Sequence, residues 1–208
     1  MAAEAVAIAV LAKAPVAGFA KTRLIPVLGA ARAARLQARL IERAVDTACA
    51  AGIGPVTVWA APEETHTAFQ TLRARRNVVL ARQPNGDLGA RMLAALRAAG
   101  GPGLVIGTDC PVLMPAHLRA AAEVLRGGQD AVVLPAEDGG YVLIGMRSPV
   151  AALFAGITWS SAEVMTETRR RLRHHRLSWQ EPATLWDVDR PEDLPRLRGF
   201  GVLDEFSR

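Results

Sequence analysis

Of the 25 basic residues in the chain only two are lysines, Lys13 and Lys21. Both fall in the segment Leu11-Ala-Lys-Ala-Pro-Val-Ala-Gly-Phe-Ala-Lys-Thr-Arg-Leu24. A chain that uses arginine everywhere else keeps the compact ammonium where a phosphate calls for a point charge. With Arg23, the segment offers three cations to a polyphosphate. Pro15 and Gly18 shape a turn, and Gly18 lets the backbone approach a ligand closely. The order Gly18-Phe-Ala-Lys-Thr22 misplaces the glycine for a P-loop, and the segment has no GxGxxG. The spacing predicts a phosphate-binding loop, against the plainer reading of an exposed basic loop.

Three acidic segments could complete such a site. In Gly107-Thr-Asp-Cys-Pro111, Asp109 follows an apolar run, and Pro111 stiffens the turn. A hard oxygen fixed beside bound phosphates suits magnesium, although a helix N-cap or a turn would use an Asp equally well. In Glu137-Asp-Gly-Gly-Tyr141, Gly139 and Gly140 free backbone N–H groups to face a ligand. The alternative is a tight glycine turn, which Asp138-Gly139 forms in any case. In Trp186-Asp-Val-Asp-Arg-Pro-Glu-Asp193, Asp187 and Asp189 fall on one side of an extended piece, because side chains alternate with period two. Together they suit a metal that carries phosphates; alone, Asp189 before Arg190-Pro191 suits a helix cap as well. Cys110 reads as a small packing residue, since no pairing histidine is evident.

These segments need strand ends to hold them. Val6 to Leu11 is a continuous apolar run suited to a strand buried on both faces. Residues 12–29, with Pro15, Gly18, Pro26 and Gly29, read as a long loop. A helix is expected from Ala30 to Ala51, ended by Gly52. Strands follow at Val56–Trp59 and Val78–Leu80, with a helix over Thr65–Arg75 between them. Asp87 N-caps a helix to Ala99. Strand Gly103–Gly107, helix Pro115–Arg126, strands Ala131–Leu134 and Tyr141–Met146, and helix Ser161–His174 come next. Short extended pieces at Leu177–Trp179 and Thr184–Trp186 lead to a last short helix opened by Pro191. This alternation predicts an α/β fold: a three-layer α/β/α arrangement with a mixed, mainly parallel sheet. The stretch from Leu134 to Tyr141 is too short for a helical crossover, so that pair is antiparallel or not adjacent.

One domain over residues 1–208 fits the length. Half the residues are hydrophobic and 22% are charged, as in an ordinary globular enzyme. No apolar run reaches the roughly 18–20 residues that span a bilayer. The apolar start follows Glu4 rather than a basic stretch, unlike a signal peptide. Cys49 and Cys110 lie too far apart for a CxxC site, so a reducing cytoplasm is expected. The net charge of +5 is concentrated at Arg169, Arg170, Arg171, Arg173 and Arg176. That run reads as a solvated helix face rather than a nucleic-acid surface, because no aromatics interleave with it.

Taken together, Lys-Ala-Pro-x-x-Gly-x-x-Lys-Thr-Arg-Leu, Gly-Thr-Asp-Cys-Pro, Asp-Gly-Gly-Tyr and Asp-Val-Asp-x-Pro-Glu-Asp resemble a bacterial family of glycosyltransferase-A-like proteins. That family belongs to the nucleotide-diphospho-sugar transferase superfamily. More remotely, the chain is similar to guanylyltransferases that activate phospholactate or phosphoenolpyruvate, and to those of molybdenum cofactor synthesis. The resemblance spans about Val6 to Leu197 and implies a GT-A fold. It implies that Lys13, Gly18, Lys21 and Arg23 hold nucleotide phosphates. Asp109, Asp187 and Asp189 would bind Mg2+ or Mn2+, and Asp138, Gly139, Gly140 and Tyr141 would form the acceptor side. The Asn85–Gly89 stretch would lie near the base. Relatives commonly carry proline and arginine where this chain has Ala17 and Phe19, which removes one cation.

The resulting expectation is a metal-dependent transferase acting on a nucleotide sugar and a small acceptor, with Asp109 and Asp189 as candidate catalytic residues. The alternatives are nucleotidyl transfer from an NTP with pyrophosphate release, and a non-catalytic nucleotide sensor. In each reaction, metal and cations stabilise charge on phosphate oxygens. His66, His117, His174 and His175 all fall on expected helices or helix ends, so a metal-bound carboxylate such as Asp189 would assist as base.

Overall fold

The structure, a computed structural model, describes residues 3–198 and 200. β1 (Ala7–Lys13) lies inside a seven-stranded sheet. The other strands are β2 (Val56–Ala61), β3 (Val79–Arg82), β4 (Gly103–Ile106), β5 (Ala131–Pro135), β6 (Tyr141–Met146) and β7 (Trp179–Gln180). Their order across the sheet is β3-β2-β1-β4-β6-β5-β7. β1 runs parallel to β2 and β4, β2 to β3, and β5 to β7, whereas β6 is antiparallel to both β4 and β5. The reversal at β6 follows from the short connection out of β5, which leaves no room for a helix.

Helices cover both faces. Ile8, Val10 and Ala12 of β1 join one core with α2 (Ala30–Ala51), α3 (Thr67–Arg75) and α5 (Pro115–Arg126). Ala9 points the other way, into a core with α4 (Leu88–Ala98) and α6 (Val164–His174). This alternation is the strand period, and it makes the molecule three-layered. Gly52 ends α2 with a left-handed φ of 64°, a conformation costly for any residue with a Cβ. Asp87 N-caps α4, its Oδ1 accepting from Ala90 N at 2.8 Å. No helix among the described residues is long and apolar enough to cross a membrane.

The extended piece expected at Leu177–Trp179 is β7 at Trp179–Gln180, that at Thr184–Trp186 is a single bridge of Leu185 to Ala136, and two further departures bear on the site. Residues 12–29 contain a 3-10 turn, Thr22–Leu24, and a short helix, α1 (Ile25–Leu28). Pro26 sits in the first turn of α1, where its missing N–H would have no partner anyway, so it opens a helix here rather than marking a loop. α6 begins at Val164 instead of Ser161, because residues 160–163 follow a separate path fixed by contacts described below.

A third, smaller core positions the site. Leu24, Leu36, Leu40, Val188 and Leu197 are fully buried against one another. Burying each such side chain contributes about 1.5–3 kcal/mol. Leu24 ends the lysine segment and Val188 separates Asp187 from Asp189, so this cluster draws the first and last motifs together.

Candidate active site

A cleft of about 1090 Å³ opens at the carboxyl ends of β1, β2 and β4, where open α/β sheets bind ligands. Lys13, Lys21, Arg23, Asp109, Tyr141 and Asp189 line it. Gly18, Asp138, Gly139, Gly140 and Asp187 are not part of its wall.

The three cations differ sharply. Lys13, at the end of β1, is exposed, and its ammonium has no partner among the described residues. Lys21 is the opposite: its side chain is 4% exposed and its Nζ lies 2.9 Å from Asp109 Oδ1. The same ammonium donates to the Val188 carbonyl, and the Lys21 backbone is left-handed, with φ 48°. Arg23 forms an ion pair with Asp189. Two of the cations expected on phosphates are therefore spent on two of the carboxylates expected on a metal.

Asp109 is held from below. Gln37 of α2 is buried, and its Nε2 donates to Thr108 Oγ1 at 3.2 Å and to the Lys13 carbonyl at 3.4 Å. Thr108 Oγ1 donates in turn to Asp109 Oδ1 at 3.0 Å, and Val188 N donates to the Asp109 carbonyl at 2.8 Å. Three motifs thus meet at one aspartate. The capping alternative fails for Asp109, because α5 starts at Pro115 with Met114 as its cap. It fails for Asp189 too: Asp193, not Asp189, accepts from the backbone N–H groups of Asp189 and Arg190.

Asp187 is more secluded. Burial first, and then the nearby Asp138 and Asp109 carboxylates, push its carboxyl up to about 6. Asp138 therefore belongs to the same negative field, although its Oδ1 accepts from Gly140 N at 2.9 Å. As they stand, the side chains form ion pairs rather than a cage: no three His, Cys, Asp or Glu among the described residues are grouped to hold a metal ion.

The glycine turn behaves differently from the expectation that its N–H groups face a ligand. Gly139 N donates to the Ala136 carbonyl at 3.2 Å and Gly140 N to Asp138, so both are consumed inside the turn. Gly139 has φ 92°, and a Cβ there would lie 2.1 Å from the Ala162 carbonyl oxygen. The glycine exists for close packing against residues 160–163. Tyr141 lines the cleft, but its hydroxyl is turned to Met92 Sδ at 3.7 Å, and burial raises its pKa. It contributes a ring, packed edge-on to Trp159 with centroids 6.4 Å apart.

Asn85–Gly89 forms the approach to α4, and only Leu88 of it reaches the cleft. Arg91 also lines the cleft, with its Nε donating to the Gly86 carbonyl and its Nη1 to Gln83 Oε1. The Gln83–Arg91 pair escaped the sequence reading. Gln37 did leave a signal: a polar residue four positions before Ile41, on the apolar face of α2. Phe19 is 67% exposed at the cleft. The four histidines stay off the strand ends: His66 caps α3, His117 lies in α5 and accepts from Met114 N, and His174 and His175 close α6. Cys110 is a free thiol, pushed up to about 12 by burial, as suits a packing residue. On α6, Arg169 pairs with Glu181, and Arg170 and Arg171 pair with Glu167. The arginine run is in large part neutralised at home.

Residues 44–161 match the model of a family described as an uncharacterized protein conserved in bacteria (DUF2064). The chain belongs to this family. The family model takes in Asp109 and the glycine turn; Lys13 and Asp189 lie outside it. No curated protein matches the chain. A structure from Desulfovibrio desulfuricans G20, provisionally named a nucleotide-diphospho-sugar transferase, is 29% identical with a TM-score of 0.84. The match covers 97% of this chain and 90% of that one. A nucleotidyl transferase from Methanothermobacter is 18% identical, TM-score 0.65, with 96% and 99% covered. A CMP:2-keto-3-deoxy-manno-octonic acid synthetase complexed with CTP is 15% identical, TM-score 0.59, with 97% and 100% covered. The family thus has the fold of the nucleotide-diphospho-sugar transferase superfamily, as the motifs implied.

Proposed function

We propose that this protein is a metal-dependent transferase that takes a glycosyl group from a nucleotide sugar to a small acceptor. The observation that carries the reading is Lys13: an unpaired ammonium at the end of β1, in a cleft whose other motif cations are already paired to Asp109 and Asp189. One free lysine and a metal suit a diphosphate, whereas three free cations would have suited a triphosphate. The relative at 29% identity, named for nucleotide-diphospho-sugar transfer, supports the same choice.

The acidic residues fit a hard divalent cation such as Mg2+ or Mn2+ by their chemistry. Burial first, and then the Asp138 and Asp109 carboxylates, raise the carboxyl of Asp187, and a bound cation would favour its charged form. Asp109 and Asp187 would hold the cation, with Asp189 beside them in its ion pair with Arg23. Bound there, the metal would neutralise charge on the leaving diphosphate. The chain's own part is to seat that diphosphate on Lys13, to keep Asp109 aimed through Thr108 and Gln37, and to let Asp189 take the acceptor proton.

A thermal-shift panel of nucleoside triphosphates and nucleotide sugars, with and without magnesium, tests binding, since a ligand stabilises the fold by mass action. Product analysis tests the reaction. A nucleoside diphosphate released from a nucleotide sugar, dependent on acceptor, is the expected result. Pyrophosphate from an NTP with no turnover of any nucleotide sugar moves the assignment to nucleotidyl transfer, the reading favoured by the nucleotidyl transferase of the same fold. Nucleotide binding with neither product identifies a sensor.

A further inference from the structure

Ser160 stands apart from the rest of the cleft wall. It is a non-glycine residue with a left-handed backbone, φ 64°, it is exposed, and it lines the cleft. Such a conformation costs about 1 kcal/mol or more and persists only where the surroundings over-determine it. They do so here on both sides. Trp159 is wedged against Gly89, where a Cβ would lie 2.6 Å from the indole ring, and packs edge-on to Tyr141. Ala162 presses its carbonyl on Gly139, and Met165 N donates to the Gly139 carbonyl at 2.8 Å.

Several neighbouring polar groups are used within the segment, although the buried Trp159 Nε1 has no partner. Trp159 N donates to the Ile157 carbonyl, Ser161 Oγ to the Thr158 carbonyl, and Val164 N to the Ser161 carbonyl. Ser160, which lines the cleft, has neither its N–H nor its hydroxyl hydrogen-bonded to another described residue. A strained residue with two unspent donors, clamped between two glycine contacts at the wall of the cleft, is built to hold something.

We propose that Ser160 is an acceptor-binding residue, its hydroxyl and backbone N–H gripping a carboxylate or phosphate oxygen of the second substrate. This rests on the transferase reading above and deepens it, since it makes the acceptor a small oxyanion rather than a neutral sugar. Two adjacent donors suit an oxyanion, which accepts more than one hydrogen bond. The role expected of Gly139 and Gly140 thus passes to the segment they support: the glycines seat it, and Ser160 makes the contact.

The probe is 3-phosphoglycerate, which carries carboxylate, hydroxyl and phosphate, titrated by calorimetry and followed by NMR at the Ser160 amide. Titrations run with and without saturating UDP, so that failure of nucleotide binding is seen separately and leaves the Ser160 test intact. Saturable binding that shifts the Ser160 amide is expected. Ser160→Ala should weaken it about five- to tenfold, the worth of one charge-assisted hydrogen bond, with UDP affinity unchanged. Ser160→Gly, which adopts positive φ freely and so folds without strain, should lose as much affinity as Ser160→Ala. No binding to the wild-type protein overturns the proposal. So do equal affinity in wild type and both variants, and a parallel loss of UDP affinity.

Discussion

Lys21 and Asp109 form an ion pair of 2.9 Å in which the lysine side chain is 4% exposed and the aspartate 43% exposed. The ammonium also ties down Val188, so it works as a clamp between three motifs. Lys21→Ala should therefore cost about 1–3 kcal/mol of stability, chiefly from the groups it leaves unpaired. Urea denaturation measures this. A variant as stable as wild type would show that the clamp holds nothing together.

Lys13→Ala should behave in the reverse manner. Its side chain is exposed and unpaired, so stability should change by no more than about 0.5 kcal/mol. Nucleotide affinity should fall about tenfold or more with the loss of a charge-assisted contact. Equal nucleotide affinity in wild type and variant would remove Lys13 from the site.

Asp187 sets a pH dependence. Its folded carboxyl titrates at about 6 against an ordinary 3.8, so between these values the folded state binds more protons than the unfolded one. Stability then falls as pH rises through that window and stays lower above it. Asp187→Asn should flatten this part of the curve and raise Tm at neutral pH. Thermal melts at half-unit pH steps decide the matter: an unchanged slope in the variant would assign it to another group.

Gly139→Ala should be severe. The added Cβ would lie 2.1 Å from a backbone oxygen at a φ of 92°, and a backbone neighbour cannot step aside as a flexible side chain can. A loss of about 2 kcal/mol or more is expected, with acceptor binding hit harder than nucleotide binding because the Ser160 segment shifts. Denaturation and UDP titration of the same sample separate the two effects.

Much of this was legible in the sequence, and the exceptions share a cause. The boundaries of α2, α5 and β6 follow from periodicity and glycine punctuation, and the antiparallel β6 follows from a connection too short for a helix. The acidic and basic candidates stand out in the sequence as types because their chemistry is local. Their pairing was not. Lys21 reads as a free cation until Leu24 and Val188 are seen to share a core, and Asp-Gly-Gly reads as a ligand-facing turn until Ala162 is seen to lie on it. Ser160 left no trace at all, since a left-handed serine differs from an ordinary one only in a backbone angle imposed from outside.

The small core of Leu24, Leu36, Leu40, Val188 and Leu197 has a consequence for motion. The base of the lysine segment is soldered to α2 and to the Asp-Val-Asp strip, so it cannot swing as a lid without local unfolding. In hydrogen exchange, the amides of Leu24 and Val188 should open together, as one cooperative unit near the global free energy. The tip from Val16 to Phe19 lies outside that unit, and Phe19 is largely in water. Breathing at the mouth of the cleft is thereby confined to a few residues, while its floor keeps time with the whole fold.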